Sequence, residues 1–181
     1  MSKQVLQRSL DALKSAIQGE IKGWEFYQDA AKKTGSESGQ KMFSQLAKDE
    51  VDHQKWLEEV YDRVAEGHEG LTPKHIIKHK PIDKKRKQIT PVDKRRVVKR
   101  VKERTDEVEA VLIGIKLEED AINFYREALE QPDLHDEVKK LFSRLVDFEE
   151  SHRVVLQGEY QVLTGVAFYY DYPELSMELE G

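Results

Sequence analysis

Two pairs of side chains with the same spacing have the chemistry of metal ligands. Glu50 precedes His53 by three positions within "AKDEVDH", and Glu149 precedes His152 by three positions within "VDFEESH". On a helix, positions i and i+3 lie on adjacent turns of one face, about 5–6 Å apart at Cβ. Carboxylate and imidazole ligands without thiolate suit iron or manganese, and zinc less selectively. One Glu-x-x-His pair alone is a weak signal, so its surroundings decide what it means.

Both pairs interrupt a stripe of apolar residues that a helix would bury. Two further stripes are each interrupted by one glutamate, Glu20 or Glu118, so each predicted helix points one carboxylate into the core. The four stripes are Leu10, Leu13, Ile17, Glu20, Trp24 and Tyr27; Phe43, Leu46, Glu50, His53, Leu57 and Val60; Val111, Ile115, Glu118, Ile122 and Tyr125; and Phe142, Leu145, Glu149, His152 and Leu156.

Four buried carboxylates need compensating positive charge. Each buried carboxylate without a partner is strongly disfavoured, and neighbouring carboxylates repel one another. Two divalent cations carry four positive charges, which balances the four carboxylates. We therefore predict a centre for two metal ions whose ligands are Glu20, Glu50, His53, Glu118, Glu149 and His152. Glu50 and Glu149 are the expected bridging ligands. The four glutamates are also the predicted catalytic groups, because carboxylates can pass protons to a substrate.

Two tyrosines are predicted to support the metal ligands. Tyr27 and Tyr125 stand seven positions after Glu20 and Glu118, so each shares a helical face with a predicted ligand. A buried tyrosine hydroxyl needs a hydrogen-bond partner. We expect each hydroxyl to donate to a ligand carboxylate, which would fix its orientation. Packing in the core without such a bond is the alternative.

Two helical hairpins must position these groups. Residues 3–66 hold two helical patterns separated at "TGSESG", and residues 106–163 hold two more separated at "QPDLHD", where Pro132 can end one helix and Asp133 can cap the next. The hairpins repeat each other: "AIQGEIKGWEFYQDAA" aligns with "GIKLEEDAINFYREAL" at an offset of 98 residues, and "FSQLAKDEVDH" with "FSRLVDFEESH" at 99. The sequence thus predicts an all-α four-helix bundle from two duplicated hairpins.

A basic crossover connection, residues 67–105, joins the hairpins, and an aromatic and acidic tail follows at residues 164–181. Residues 72–104 hold 14 of the 30 basic residues of the chain. We interpret this segment as a solvated crossover; docking of an acidic electron donor is one alternative, and nucleic-acid binding is a less favoured one. A connection of this length would also allow hairpins to be exchanged between the two chains of a homodimer, which is the expected assembly.

The remaining histidines are expected at the surface, because no glutamate stands three positions before them. They are His68, His75, His79 and His135, with a secondary metal site at His75 and His79 as a minor alternative.

Composition excludes several classes of site. Hydrophobic residues make up 38% of the 181 residues and charged residues 36%, with a formal net charge of −5. The chain has no cysteine, which excludes disulfides, cysteine-bound zinc and iron–sulfur centres built from its own residues. No apolar run reaches the length of a membrane span, and the first residues lack the pattern of a signal peptide. A cytoplasmic protein is the expectation.

The paired motifs "GEIKGWEFYQDAA" with "LAKDEVDH", and "LEEDAINFY" with "VDFEESH", resemble the rubrerythrin-like branch of the ferritin-like superfamily. The resemblance implies one ferritin-like domain over residues 1–181, with a long crossover between its hairpins. It also implies two iron ions at the six predicted ligands, oxo-bridged when oxidised. Manganese or zinc are the substitutes that the same ligands would accept.

The resemblance implies reduction of hydrogen peroxide, or of oxygen, to water. Without cysteines the chain cannot build a rubredoxin centre, so the electrons are expected from a separate donor such as rubredoxin. Rubrerythrins carry an extra carboxylate one turn after the glutamate of the third helix, where this chain has Ala121. Six ligands also resemble the ferroxidase centre of bacterioferritins, so iron oxidation and storage is the alternative function.

Overall fold

Four long helices make up nearly all of the chain that the computed structural model describes, residues 2–66 and 105–165. They are α1 (Lys3–Lys33), α2 (Glu37–Ala65), α3 (Thr105–Leu129) and α4 (Asp136–Thr164). Neither of these two ranges contains a strand. The prediction of an all-α bundle of two hairpins is confirmed. Nearly all of the predicted connection and tail, with His68, His75 and His79, lies outside the described residues.

Polar residues set the starts of three helices. The hydroxyl of Ser2 accepts a hydrogen bond from the amide of Val5 at 3.2 Å at the start of α1. At the start of α2, the hydroxyl of Ser36 accepts from the amide of Gly39 at 3.1 Å. These side chains satisfy amides that have no acceptor inside the helix. The predicted break at "TGSESG" is therefore confirmed as a short turn with its own helix cap.

The predicted cap of the last helix is wrong. Asp133 does not cap α4; the cap is His135, whose Nδ1 accepts from the amide of Glu137 at 3.2 Å. The carboxylate of Asp133 instead accepts from Arg8 in α1, at 3.1 Å. A basic partner from another helix competes for the aspartate, and sequence position alone does not show that partner. His135 is half-buried at this cap, so the expectation of a surface histidine is also wrong in part.

Each hairpin is closely packed, and the two hairpins meet through two apolar clusters. One cluster contains Leu13 of α1, Val60 of α2, Tyr125 of α3 and Leu141 of α4. The other contains Tyr27 of α1 and joins residues from the opposite halves of all four helices. The N-terminal half of α1 therefore shares one end of the bundle with the C-terminal halves of α2 and α3. The C-terminus of α2 and the N-terminus of α3 therefore lie at opposite ends of the bundle.

Polar contacts join the hairpins at both ends. At one end, the guanidinium of Arg63 in α2 lies 3.1 Å from the carboxylate of Glu137 in α4. At the other end, the carboxylate of Glu107 in α3 accepts from the hydroxyl of Thr34 at 2.7 Å and from the amide of Gly35 at 2.8 Å. These contacts fix the relative position of the hairpins, and hence of the side chains between the two apolar clusters. Among the described helices, none is long and apolar enough to cross a membrane.

Candidate metal centre

The six predicted ligands meet in the middle of the bundle. Each helix supplies one glutamate, and α2 and α4 each add a histidine one turn later. All six side chains are buried, with exposed fractions between 1% and 4%: Glu20, Glu50, His53, Glu118, Glu149 and His152. This burial confirms that the glutamates and histidines face the core, as the helical period predicts.

The six predicted ligands form two groups that share two carboxylates. Glu20, Glu50, His53 and Glu149 have ligand atoms within 4.8 Å of one another. Glu50, Glu118, Glu149 and His152 form the second such group. Glu50 and Glu149 belong to both groups, so they occupy the positions expected of ligands that bridge two metal ions. The structure thus brings together every predicted ligand, while their binding of metal stays a prediction.

The imidazoles face the carboxylates. The Nδ1 atom of His53 lies 3.1 Å from Glu149 Oε1 and 3.3 Å from Glu20 Oε2. The Nδ1 atom of His152 lies 3.0 Å from Glu149 Oε2 and 3.5 Å from Glu50 Oε1. The two rings are stacked, with centroids 5.4 Å apart and an interplanar angle of 20°. Each histidine therefore presents the same nitrogen to the shared carboxylates from opposite sides.

The two tyrosines donate hydrogen bonds to the carboxylates of the opposite hairpin. The hydroxyl of Tyr27 in α1 donates to Glu118 in α3, and the hydroxyl of Tyr125 in α3 donates to Glu20 in α1. Burial raises the pKa of both phenols, and the neighbouring carboxylate raises each further, so both hydroxyls keep their protons as donors. The expected hydrogen bond is present for both tyrosines, with a partner on the other helix instead of their own.

The charges of the centre are unevenly distributed. Burial, followed by the neighbouring carboxylate of Glu50, raises the pKa of Glu20 to about 8. Burial also raises the pKa of Glu118 well above its ordinary value. For His53, burial disfavours the charged imidazole, but Glu149, Glu20 and Glu50 together outweigh it and raise the pKa. Burial disfavours the charged form of His152 as well, but Glu118, Asp49 and Glu149 together outweigh it and raise the pKa of this histidine.

The two shared carboxylates, Glu50 and Glu149, have lowered pKa values instead. Burial opposes ionisation of Glu149, yet the nearby His53 imidazole holds its pKa below the ordinary value. Burial and Glu149 oppose ionisation of Glu50, but contacts with Glu20, His152 and His53 hold its pKa low as well. Without metal, the directions of these pKa shifts thus favour protons on Glu20, Glu118 and both imidazoles, with Glu50 and Glu149 ionised. Four protons neutralise the centre.

The donor set fits two divalent cations. Within the described residues, six buried atoms of this set have no hydrogen-bond partner. One is the outer nitrogen of His53, Nε2, and the other five face the centre: Glu20 Oε2, His53 Nδ1, Glu149 Oε1, Glu149 Oε2 and His152 Nδ1. Unpartnered buried polar atoms are costly in a core, and these five converge on the same space. Oxygen and imidazole nitrogen donors suit iron, manganese and zinc. The two positive charges of each ion would replace two of the four protons.

A cavity of about 380 Å³ reaches the centre between α1 and α3. Its wall includes Gly19 and Gly23 of α1 and Ala121 of α3, together with the ligands Glu20 and Glu118. Small residues on both walls keep this side of the bundle open. Ala16 and Tyr27, which belong to the two apolar clusters, line it as well.

Two features of the centre were not found from the sequence. Gly23 approaches Glu50 so closely that an added Cβ would lie 3.3 Å from the Glu50 Cδ atom. Asp49 contacts the outer nitrogen of His152, Nε2, at 3.5 Å. A glycine inside the helical pattern, Gly23, was a signal of close approach in the sequence. No periodic signal marks Asp49, which stands beside the stripe.

A sequence model of the family described as Rubrerythrin matches residues 11–160. A solved structure, described as a hypothetical protein from Pyrococcus furiosus, is 27% identical in sequence, and the match covers 90% of this chain and 92% of that one, with a TM-score of 0.59. No curated protein matches this chain at a significant level.

Proposed function

Because this chain belongs to the rubrerythrin family, within the ferritin-like superfamily, we propose that it is a non-haem diiron oxidoreductase that reduces hydrogen peroxide to water, with oxygen as the alternative oxidant. The observation that carries this proposal is the convergence of four buried carboxylates and two buried imidazoles on one space. Two Fe2+ ions bound there would supply Lewis acidity and, on oxidation to Fe3+, the two electrons that one peroxide needs.

The chain would hold the two ions with its shared and unshared ligands. Glu50 and Glu149, which belong to both groups, would contact both ions. Glu20 and His53 would complete one position, and the equivalent pair from the second hairpin, Glu118 and His152, would complete the other. Manganese and zinc suit the same donors, so metal analysis of the purified protein is needed to identify the ion.

The tyrosines would keep the terminal carboxylates in one orientation. Tyr125 donates to Glu20 Oε1, while Glu20 Oε2 faces His53 Nδ1 at 3.3 Å. One carboxylate oxygen is thus occupied by the phenol, and the other is directed into the centre. Tyr27 holds Glu118 in the same way. Orientation by hydrogen bonds of this kind typically preserves ligand geometry and metal affinity.

Protons would enter through the cavity between α1 and α3. Reduction of one hydrogen peroxide to two waters consumes two protons and two electrons. Glu20 and Glu118 line the cavity, so their carboxylates are placed to pass protons from solvent to an oxidant bound at the centre. The shared carboxylates, Glu50 and Glu149, also line the cavity and complete the set of four proposed proton carriers.

The partners remain proposals. A separate electron donor of the rubredoxin type would reduce the centre, because the chain has no cysteine with which to build a rubredoxin site of its own. All six ligands come together within one chain, so a complete centre does not require a second copy. We keep a homodimer, with or without exchange of hairpins, as the expected assembly.

Iron oxidation followed by storage is the second candidate function. The observation that favours it is Ala121, which lines the cavity one turn after Glu118 where rubrerythrins have a further carboxylate. The six remaining ligands are arranged nearly symmetrically about Glu50 and Glu149. A symmetric centre of this kind resembles that of a ferroxidase.

Stopped-flow oxidation of the diferrous protein tests the proposal. The peroxidase proposal expects hydrogen peroxide to oxidise the centre faster than oxygen does. Equal rates, or faster oxidation by oxygen, would refute it and favour the ferroxidase. The variant Ala121→Glu adds a carboxylate to the cavity wall, and Ala121→Gln is its matched uncharged control. If peroxide selectivity depends on a carboxylate here, Ala121→Glu raises the peroxide rate and Ala121→Gln does not.

A further inference from the structure

The repeat between the hairpins breaks beside the metal centre. At the offset of 99 residues that relates Glu50 to Glu149 and His53 to His152, Asp49 corresponds to Phe148. The inner surroundings of the two histidines are thus alike, but their outer surroundings differ. The difference is between an acid and an aromatic ring.

On the α4 side, His152 has a carboxylate behind it. Its Nε2 atom lies 3.5 Å from Asp49 Oδ2, while its Nδ1 atom faces Glu149 at 3.0 Å. The amide of Gln45 donates to Asp49 Oδ1 at 2.8 Å and holds this carboxylate in place. A carboxylate at the outer nitrogen of a ligating imidazole fixes the orientation of the ring and makes the inner nitrogen a better donor to a metal ion.

On the α2 side, His53 has aromatic rings around it. The ring centroids of Trp56 and Phe148 lie 5.3 Å and 5.2 Å from the centroid of its imidazole. Its Nε2 atom is buried and has no hydrogen-bond partner among the described residues. The guanidinium of Arg144, which corresponds to Gln45 in the repeat, lies 5.2 Å from the centroid of the Phe148 ring. A cationic guanidinium thus lies near the ring that packs on His53, whereas an anionic carboxylate, that of Asp49, lies next to His152.

We propose that the two metal positions differ in affinity, and that Asp49 is the positioning residue that makes the Glu118–His152 position the tighter one. This inference rests on the proposed dinuclear centre. Loss of the carboxylate behind a ligating histidine typically weakens metal binding by about 10–100-fold. We expect a difference of about 10-fold or more between the two positions for the same reason. One metal ion would bind first at the end that contains Asp49.

Titration of the metal-free protein with Co2+, followed by its visible absorption, tests this inference. The expected result is two phases of one equivalent each. His53→Ala should keep the tight phase, and His152→Ala should remove it. Repulsion between two bound ions also separates the phases, so the decisive measurement is the variant Asp49→Asn. It should weaken the tight phase by about 10–100-fold and reduce the affinity ratio.

Two further variants make the titration decisive. Asp52→Asn, on the same helix with its carboxylate 3.1 Å from Lys55, is the matched control and should leave both phases unchanged. Gln45→Ala removes the hydrogen bond to the Asp49 carboxylate without altering its charge, so it should weaken the tight phase less than Asp49→Asn does. This variant also tests the inference if Asp49→Asn disturbs folding. An affinity ratio unchanged by Asp49→Asn, or one phase of two equal equivalents, overturns the inference and leaves the metal centre intact. Failure of the native chain to bind Co2+ overturns the proposed function as well.

Discussion

Metal binding should release about four protons from the centre at pH 7. Without metal, protons on Glu20, Glu118, His53 and His152 neutralise the four carboxylates, because the pKa of each of these groups is raised. With a pKa of about 8, Glu20 alone is about 90% protonated at pH 7 and about 10% at pH 9. Ligands must be deprotonated to bind, so two divalent ions displace all four protons.

Calorimetric titration in buffers of different ionisation enthalpy measures this number. The slope of observed enthalpy against buffer enthalpy should give about four protons for two equivalents of Zn2+ at pH 7, and fewer at pH 9. Ions bound by surface carboxylates, which are already ionised at pH 7, would release almost none. A release of fewer than two protons, with two equivalents bound, would refute the charge assignment.

The same protons determine how stability depends on pH. Glu20 has its pKa raised from 4.5 to about 8, and the pKa of His53 is raised above 6.5, so the folded metal-free protein binds more protons than the unfolded chain between pH 6 and 9. Stability therefore falls as pH rises through this window. The metal-free protein should thus show a melting temperature that decreases from pH 6 to pH 9. The metal-bound protein, which has released these protons, should not show this decrease.

Four substitutions test the packing around the centre. Gly23→Ala should lower metal affinity at both positions, because the added Cβ would lie 3.3 Å from the side chain of Glu50, the proposed shared ligand. Gly19→Ala is its control, because a Cβ there meets nothing within 4 Å. It should leave metal titrations unchanged and stabilise α1 by up to about 1 kcal/mol. Tyr125→Phe should destabilise the protein by about 1–3 kcal/mol in urea unfolding, because it leaves a buried carboxylate oxygen without its donor. Leu145→Ala, at a fully buried position, should cost about 2–5 kcal/mol in the same assay.

The helices and their inward-facing ligands were predictable because both follow from local periodicity. Glu20 and Glu118 interrupt apolar stripes at helical spacing, and the stripe residues around Glu118, such as Ile115 and Ile122, are buried as expected. A repeated pattern in the second hairpin excluded chance for the Glu-x-x-His pairs. Burial of a side chain on a long amphipathic helix needs no knowledge of its neighbours.

Partners between helices were not predictable in the same way. Tyr27 shares a face with Glu20 in sequence, yet it donates to Glu118 across the bundle. Asp133 has the residue type of a helix cap, yet it pairs with Arg8. Both partners depend on the axial position and rotation of one helix against another. Helical period determines only which face of a helix is buried.

The tyrosine contacts show how the duplicated hairpins function as one centre. If each tyrosine bonded the glutamate of its own helix, each hairpin would hold its ligands independently. Instead, Tyr27 and Tyr125 each donate to the terminal glutamate of the other hairpin, Glu118 and Glu20. Orientation of a ligand in one hairpin thus depends on correct docking of the other. The inward-facing glutamates and histidines of the two hairpins thus match, whereas the outer positions differ, with Asp49 in one hairpin and Phe148 in the other.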